Sequence, residues 1–418
     1  MRLRAILLTA LACALSPAPA AAEPTIATLP GGARWAAEVP PEWNGTLLLW
    51  SRGYSPKLGA PEVAPPGLRE ALLGQGYALA ASDYGAAGWA LEEAVPAQIA
   101  TLSAFAARYG KPKRTIAWGY SMGGLVTTAL AEQAPASIDG AAAFCASLGG
   151  AVGMLNMALD GAYAFRTLVA PQSDIRIVGI DDDMANGQRV AGAVAEAVKT
   201  PQGRARLALA AVLAGLPGWT EPETSAPAAD DYQAQARQMA SAIVRGVFLP
   251  RVDQERRAGG IFSWNRGIDY RAQLALSGRG TMIEALYREA GLDLAADLAT
   301  LNRGATIRAD PKAVDYMTRH YGPNARPTVP LVAIQAVGDG LTSPSMQRAY
   351  TEAAGNGAKS LWVAQAGHCP FKPATALAGL HYLEARLARG AWAAKAAGFV
   401  DNMPPRMLRP CFRGRRCR

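Results

Sequence analysis

Histidine is scarce in this chain. There are three in 418 residues, with no His-Glu-x-x-His among them. Catalytic zinc sites draw on such clusters, so a metal hydrolase is disfavoured. Long apolar runs are missing too. Past the N-terminus the best one, Leu207 to Leu216, falls well short of the roughly 20 residues that cross a bilayer. It also follows arginines, which suits a cap or core helix. Aromatic residues make up only 7% of the chain and are not interleaved with basic ones in any nucleic-acid motif, so nucleic acid is not an expected partner. Acid is in deficit, giving a formal net charge of +9, but six arginines stand between Arg406 and Arg418 with no acid among them. Residues 401–418 therefore read as a solvated basic tail. No internal repeat is present.

Cysteine is also sparse. Of five, Cys13 falls within an N-terminal segment with the marks of an export signal: basic Arg2 and Arg4, an apolar stretch from Ala5 to Leu15, and a small-residue cleavage site at Ala20-Ala21-Ala22. This assigns residues 1–22 to a signal peptide, starts the mature chain near Glu23, and implies a secreted or periplasmic protein without stable membrane insertion. Cys145, Cys369, Cys411 and Cys417 remain. An even count in an oxidising compartment admits disulfides, with three connectivities for four cysteines.

Three short apolar runs bounded by turn residues come early: Thr46 to Trp50, Tyr77 to Ala81, and Thr115 to Trp118. Helical spacing fills the gaps between them, as at Leu68 to Leu73 and Gln98 to Ala107, and a fourth run spans Gly140 to Phe144. Short buried strands alternating with helices predict a parallel sheet. From about Ala151 to Asn324 the chain reads mostly helical, for example at Gly187 to Val198 and Tyr232 to Val247. Strand-like runs return at Val329 to Val337 and Ser360 to Val363. This is the pattern of an α/β core in two parts, 23–150 and 325–400, around a helical cap at 151–324.

The strand Thr115 to Trp118 runs into Gly119-Tyr120-Ser121-Met122-Gly123-Gly124 and then into helix-forming Leu125 to Glu132. Gly-x-Ser-x-Gly between a strand and a helix is the pattern of a sharp turn that lifts a serine hydroxyl clear of the sheet. The turn also sets that hydroxyl at a helix N-terminus, where free N–H groups favour developing negative charge. Ser121 is thus a candidate nucleophile, and a hydroxyl needs a base. His381 lies in a helical stretch and His320 at the end of the insertion, whereas His368 follows the last strand in a loop. His368 is the candidate base. The orienting acid belongs between the serine and the histidine, and Asp339, in Val337-Gly338-Asp339-Gly340, follows a strand directly. Glu352 and the triplet Asp181, Asp182 and Asp183 are poorer candidates; the triplet reads as a solvated loop rather than a cation site. Donors for an oxyanion are expected from the backbone N–H groups of Met122 and Tyr54, the latter in the loop Ser51-Arg52-Gly53-Tyr54.

On Ser51 to Tyr54, Gly119 to Gly124, Gly338-Asp339-Gly340 and Gly367-His368-Cys369, the chain from about Trp35 to Gly390 resembles the α/β-hydrolase superfamily, in particular its secreted, capped bacterial esterase-like members. The resemblance implies a mostly parallel eight-stranded sheet with helices on both faces, a large helical cap after the sixth strand, and no cofactor or metal. Two departures stand out. Many relatives carry His-Gly in the first loop, where Arg52 precedes Gly53 here. A cysteine beside the catalytic histidine also resembles the tannase and feruloyl-esterase group, whose partner cysteine neighbours the nucleophile; Tyr120 holds that place here. With the resemblance comes an expected pairing of Cys145 with Cys369, and of Cys411 with Cys417. A free thiol at Cys369 is the alternative.

The function expected is hydrolysis of a small-molecule or oligomeric ester through an acyl-Ser121 intermediate. An aminopeptidase-like serine peptidase or amidase on the same scaffold, given some resemblance to prolyl-peptidase-like members, or a non-catalytic binding protein of this fold, are the alternatives. Dehalogenases and epoxide hydrolases place Asp where Ser121 stands. The cap aromatics Tyr163, Phe165, Trp219, Phe248, Phe262, Trp264 and Tyr287 read mostly as cap core.

Overall fold

A computed structural model describes residues 25–133 and 136–417. The expected export segment, including Cys13, lies outside the described residues. The first half of the sheet and its helices run β1 (Thr25–Thr28), β2 (Arg34–Glu38), β3 (Thr46–Ser51), α1 (Arg69–Gly74), β4 (Ala78–Ser82), α2 (Leu91–Tyr109), β5 (Arg114–Tyr120), α3 (Met122–Gln133) and β6 (Gly140–Phe144). Nine helices follow: α4 (Gly150–Leu168), α5 (Asp183–Ala197), α6 (Pro201–Leu213), α7 (Tyr232–Gly246), α8 (Val252–Ala258), α9 (Tyr270–Leu276), α10 (Gly280–Glu289), α11 (Leu294–Gly304) and α12 (Pro311–Tyr321). The core resumes with β7 (Leu331–Gly338), α13 (Pro344–Ala354), β8 (Ala358–Ala366) and α14 (Pro373–Arg389).

The sheet has eight strands in the order β1-β2-β4-β3-β5-β6-β7-β8. Pairings from β4 onward along this order are parallel, and only β1–β2 and β2–β4 are antiparallel. The central strands read as unbroken apolar runs because both faces are covered: all six residues of β3 and all five of β6 are buried. Leu125, Leu130, Phe105 and Tyr350 pack on one face, from α3, α2 and α13. Leu72, Leu380 and Leu383, from α1 and α14, cover the other. Such an arrangement leaves the C-terminal ends of β3, β5, β7 and β8 together at one edge.

The helical insertion between β6 and β7 carries a core of its own. Leu207, Leu209, Val212 and Leu213 of α6 are buried against Tyr163, Phe165, Ile243 and Ile283. Each such side chain is worth about 1.5–3 kcal/mol of transfer free energy. Helix starts are set by side chains: Asp182, Asp231, Asp269, Asp293 and Asp310 each accept a backbone N–H of the first turn, and Pro201 and Pro311 follow their caps directly. Helix α4 is shared, its first half packing into the sheet core and its second into the insertion.

The C-terminal tail corrects the reading of a solvated basic segment. Met407, Leu408, Cys411 and Phe412 are buried, and Arg409 is 0% exposed. Arg409 Nη1 donates to Asp160 Oδ2 of α4 at 2.7 Å, Nη2 donates to the Trp264 carbonyl at 3.0 Å, and the guanidinium lies over the Trp264 ring. The apolar residues spaced among the arginines supply the buried surface, and Asp160 supplies the countercharge. Further back, Val400 bridges to Trp362 and covers the edge strand β8.

Candidate active site

Strand β5 ends at Tyr120, and α3 begins at Met122, so a single residue makes the turn. That residue is Ser121, held at φ +57°. A non-glycine residue there costs on the order of 1–3 kcal/mol unless its surroundings fix it. Here the Ser121 N–H donates to the Phe144 carbonyl at 3.0 Å, and the Ser121 carbonyl accepts from the Gly124 N–H at 3.0 Å. The flanking glycines are steric requirements. A Cβ on Gly123 would lie 1.9 Å from the Ser51 carbonyl oxygen, and one on Gly119 would lie 2.5 Å from the Gly123 carbonyl oxygen.

His368 lies two residues beyond β8. Its Nε2 is 2.9 Å from Ser121 Oγ, and its Nδ1 is 2.8 Å from Asp339 Oδ2. Asp339, just past β7, is fully buried and accepts the Leu341 and Thr342 N–H groups on Oδ1 at 2.8 and 3.0 Å. Thr342 Oγ1 stands 2.9 Å from Asp339 Oδ2 and 3.0 Å from the Cys145 carbonyl, tying the acid to the end of β6. Cys145 and Cys369 form a disulfide, with a Cα–Cα distance of 5.5 Å, and both hold positive φ, +41° and +59°. The histidine loop is thus fastened directly beside His368. A second disulfide joins Cys411 and Cys417 in the tail.

The remaining wall is the loop after β3. Met122 opens α3, so its N–H is one of the donors that a helix leaves unpaired at its start. Among the described residues no acceptor takes the Tyr54 N–H. Between them, Gly53 runs alongside the nucleophile turn: a Cβ on it would sit 3.5 Å from Ser121 Cβ. Beneath the loop is a buried polar network that the sequence reading missed. Gln98 of α2 donates through Nε2 to the Trp50 carbonyl at 2.6 Å and to Ser51 Oγ at 2.8 Å, and its Oε1 accepts from Ser82 Oγ. Its signal was a glutamine on the same helical face as Ala94, Thr101 and Phe105, all buried.

Tyr120 stands beside the nucleophile with its ring against Trp50, Phe144 and Phe371. Burial pushes its phenol well above the ordinary tyrosine range, so it stays neutral. Burial likewise raises the Tyr54 phenol, helped by Asp253 and Asp183. Beside Tyr54 opens a depression of about 790 Å³, lined also by Pro56, Gly88, Asp182, Met184 and Asp253.

Other candidates are placed elsewhere. His381 bonds Gln75 on the surface, and His320 packs at a tilt against Tyr316 at the end of α12. Glu352 pairs with Arg348. In the acidic triplet Asp181 pairs with Arg176, Asp182 caps α5, and Asp183 accepts the Arg251 and Val252 N–H groups. Of the cap aromatics, Phe165 packs on Phe248, Tyr163 stacks on Tyr270, Phe262 is buried, and Tyr287 bonds Asp297. Trp219 bonds Thr224, and Trp264 lies under Arg409. Among the described residues, one group has metal-ligand proximity: Cys145, His368 and Cys369. Its two sulfurs are spent on each other, leaving a single imidazole, which does not hold a metal.

No family model matches the chain. Over 407 residues it is 29% identical to an o-phthalyl amidase from Xanthobacter agilis, with 88% of each chain covered. Similar solved structures include feruloyl esterase B from Aspergillus oryzae, 13% identical at a TM-score of 0.41, covering 90% of this chain and 83% of that one. Another is proline iminopeptidase from Mycobacterium smegmatis, 14% identical at a TM-score of 0.41, covering 88% and 100%.

Proposed function

We propose that in this chain, an α/β-hydrolase of the esterase, peptidase and amidase kind, Ser121, His368 and Asp339 form a catalytic triad that cleaves carboxylic amides and esters through an acyl-serine intermediate. The observation that carries the reading is the unbroken hydrogen-bonded line from Ser121 Oγ through His368 to buried Asp339. His368 Nε2 takes the hydroxyl proton as Oγ attacks the substrate carbonyl. Asp339 accepts a hydrogen bond from Nδ1–H without taking the proton, fixes the tautomer, and stabilises the imidazolium. The Met122 and Tyr54 N–H groups receive the oxyanion, each worth roughly 3–4 kcal/mol of barrier. His368 then protonates the departing amine or alcohol, and water releases the acid by the same steps in reverse.

Amide cleavage is favoured by the o-phthalyl amidase likeness, which spans most of both chains. Ester turnover accompanies it, because an ester carbonyl is less stabilised by resonance and an alkoxide leaves more readily than an amine. An aminopeptidase would use free acid at the mouth to hold an ammonium. Near Tyr54, Asp182 and Asp183 already accept backbone N–H groups, and Asp253 is engaged by the Trp89 N–H and Arg257. Two disulfides suit an oxidising compartment and so support export. Among the described residues no helix is long and apolar enough to cross a membrane.

A fluorophosphonate probe should label the wild type and fail to label Ser121→Ala; equal labelling of both refutes the triad. A panel of N-aroyl anilides beside p-nitrophenyl esters then reads substrate class, and activity confined to esters overturns the amide reading.

A further inference from the structure

Where Arg52 stands, a charged side chain that makes no contact with Ser121, His368 or Asp339 is held by several partners. Its guanidinium donates from Nη1 to the Gly53 carbonyl at 3.1 Å, and from Nη2 to the Asp83 and Ala86 carbonyls at 3.1 and 2.7 Å. It also lies 4.5 Å over the ring of Tyr84. Tyr84, buried and at φ +66°, donates its hydroxyl to the Arg52 carbonyl at 3.1 Å. The nearby Asp83 carboxylate is committed to Arg34 through its side chain and backbone N–H. Among the described residues no carboxylate comes within 4 Å of Arg52. Burial lowers its pKa from the ordinary value, with Tyr84 and Asp83 opposing. A charge held this way, by three carbonyls and a ring, orients backbone rather than neutralising an acid.

The peptide that it orients is the one between Gly53 and Tyr54. Among the described residues no peptide bond is cis, so the Gly53 C=O and the Tyr54 N–H point in opposite directions across one plane. Fixing the carbonyl on the guanidinium therefore fixes the N–H away from it. Gly53 lacks the Cβ that would resist rotation of this peptide, and a flip would turn a carbonyl dipole toward the developing negative charge. We propose that Arg52 is a positioning residue for acyl transfer: its clamp on the Gly53 carbonyl keeps the Tyr54 N–H available as the second oxyanion donor. This rests on the reading of Ser121 as nucleophile and of Tyr54 as donor. It also gives a role to the arginine found where many relatives of this fold carry histidine.

The test uses Arg52→Gln, Arg52→Lys and Arg52→Ala in the full-length enzyme, with folding checked by circular dichroism. Loss of one oxyanion donor costs about 10²–10³-fold in kcat, so partial loss of its orientation should cost Arg52→Gln about 10- to 100-fold. KM should change less than about threefold, and affinity for an aryl boronic acid, a mimic of the tetrahedral state, should fall in step with kcat/KM. Arg52→Lys, which can reach one carbonyl, should fall between. Added guanidinium should restore part of the Arg52→Ala rate without restoring Ser121→Ala. Two results are separable. Turnover by Ser121→Ala overturns the underlying triad. An inactive Ser121→Ala beside a folded Arg52→Gln with unchanged kcat and boronate affinity overturns the role of Arg52 alone.

Discussion

Replacing both Cys145 and Cys369 by alanine removes one bond and probes two consequences at once. The bond closes a loop with a sequence separation of 224. In the chain-entropy account, a loop of that size restrains the unfolded ensemble by about 5 kcal/mol. With an unfolding entropy near 2.1 cal/mol/K per residue over about 390 residues, this corresponds to a fall in Tm of about 6 °C. The second consequence is local. Cys145 and Cys369 both hold positive φ, and Cys369 directly follows His368, whose Nε2 stands 2.9 Å from Ser121 Oγ. Without the bond the histidine loop relaxes toward ordinary backbone angles, and a displacement of 1 Å costs about 10²-fold in rate. Calorimetry and steady-state kinetics on the double variant read the two effects separately. A Tm within about 1 °C of wild type refutes the entropic argument. A kcat within about twofold refutes the fastening of the base.

Three further outcomes follow from particular contacts. Asp339→Asn preserves the shape of a fully buried site but presents an amide to His368 Nδ1; kcat should drop by about 10⁴-fold with little change in KM, and a loss under tenfold would refute the role of the acid. Gly123→Ala drives a methyl toward the Ser51 and Arg52 carbonyl oxygens; it should lower stability by about 1–3 kcal/mol and kcat more than 100-fold, and normal kinetics would show that this packing has slack. Burial pushes the Asp160 carboxyl up to about 6, with Arg409 and Tyr270 opposing. The folded state then holds the proton more tightly than the unfolded one, so this group's stabilisation is full below about pH 4 and lost as pH rises through about 6. Urea midpoints at pH 4.5 and 7.5 should show wild type losing ground to Asp160→Asn on the alkaline side; parallel shifts would refute the assignment.

How much of this was legible in the sequence depends on where the polar groups lie. β3, β5 and β6 read clearly because a strand covered on both faces must be apolar throughout, as in Thr46 to Trp50. The motif residues Ser121, Asp339 and His368 stood out because each lies just past the end of a strand, and the structure brings the three into one hydrogen-bonded line. β1 and β2 went unread. They are short, they pair antiparallel at the sheet's edge, and Thr25–Thr28 alternates between partly buried and exposed. Gln98 looked like an ordinary helical residue, because its partners Ser51 and Ser82 are 47 and 16 positions away. The tail misled for a related reason. Charge counted along the chain hid Arg409, whose partner Asp160 lies 249 residues upstream.

That last distance bears on how the molecule comes together in time. Met407 to Phe412 fill the seam between the sheet and the helical insertion, and Arg409 joins an acid on the one helix that both share. A nascent chain stopped short of this segment already contains Ser121, Asp339 and His368, yet its two cores meet across an unfilled seam. Contacts of such long range make folding slow, and here the step that joins the two cores waits for Met407 to Phe412. Arrival of that segment, rather than assembly of the sheet, becomes the checkpoint for joining the two cores.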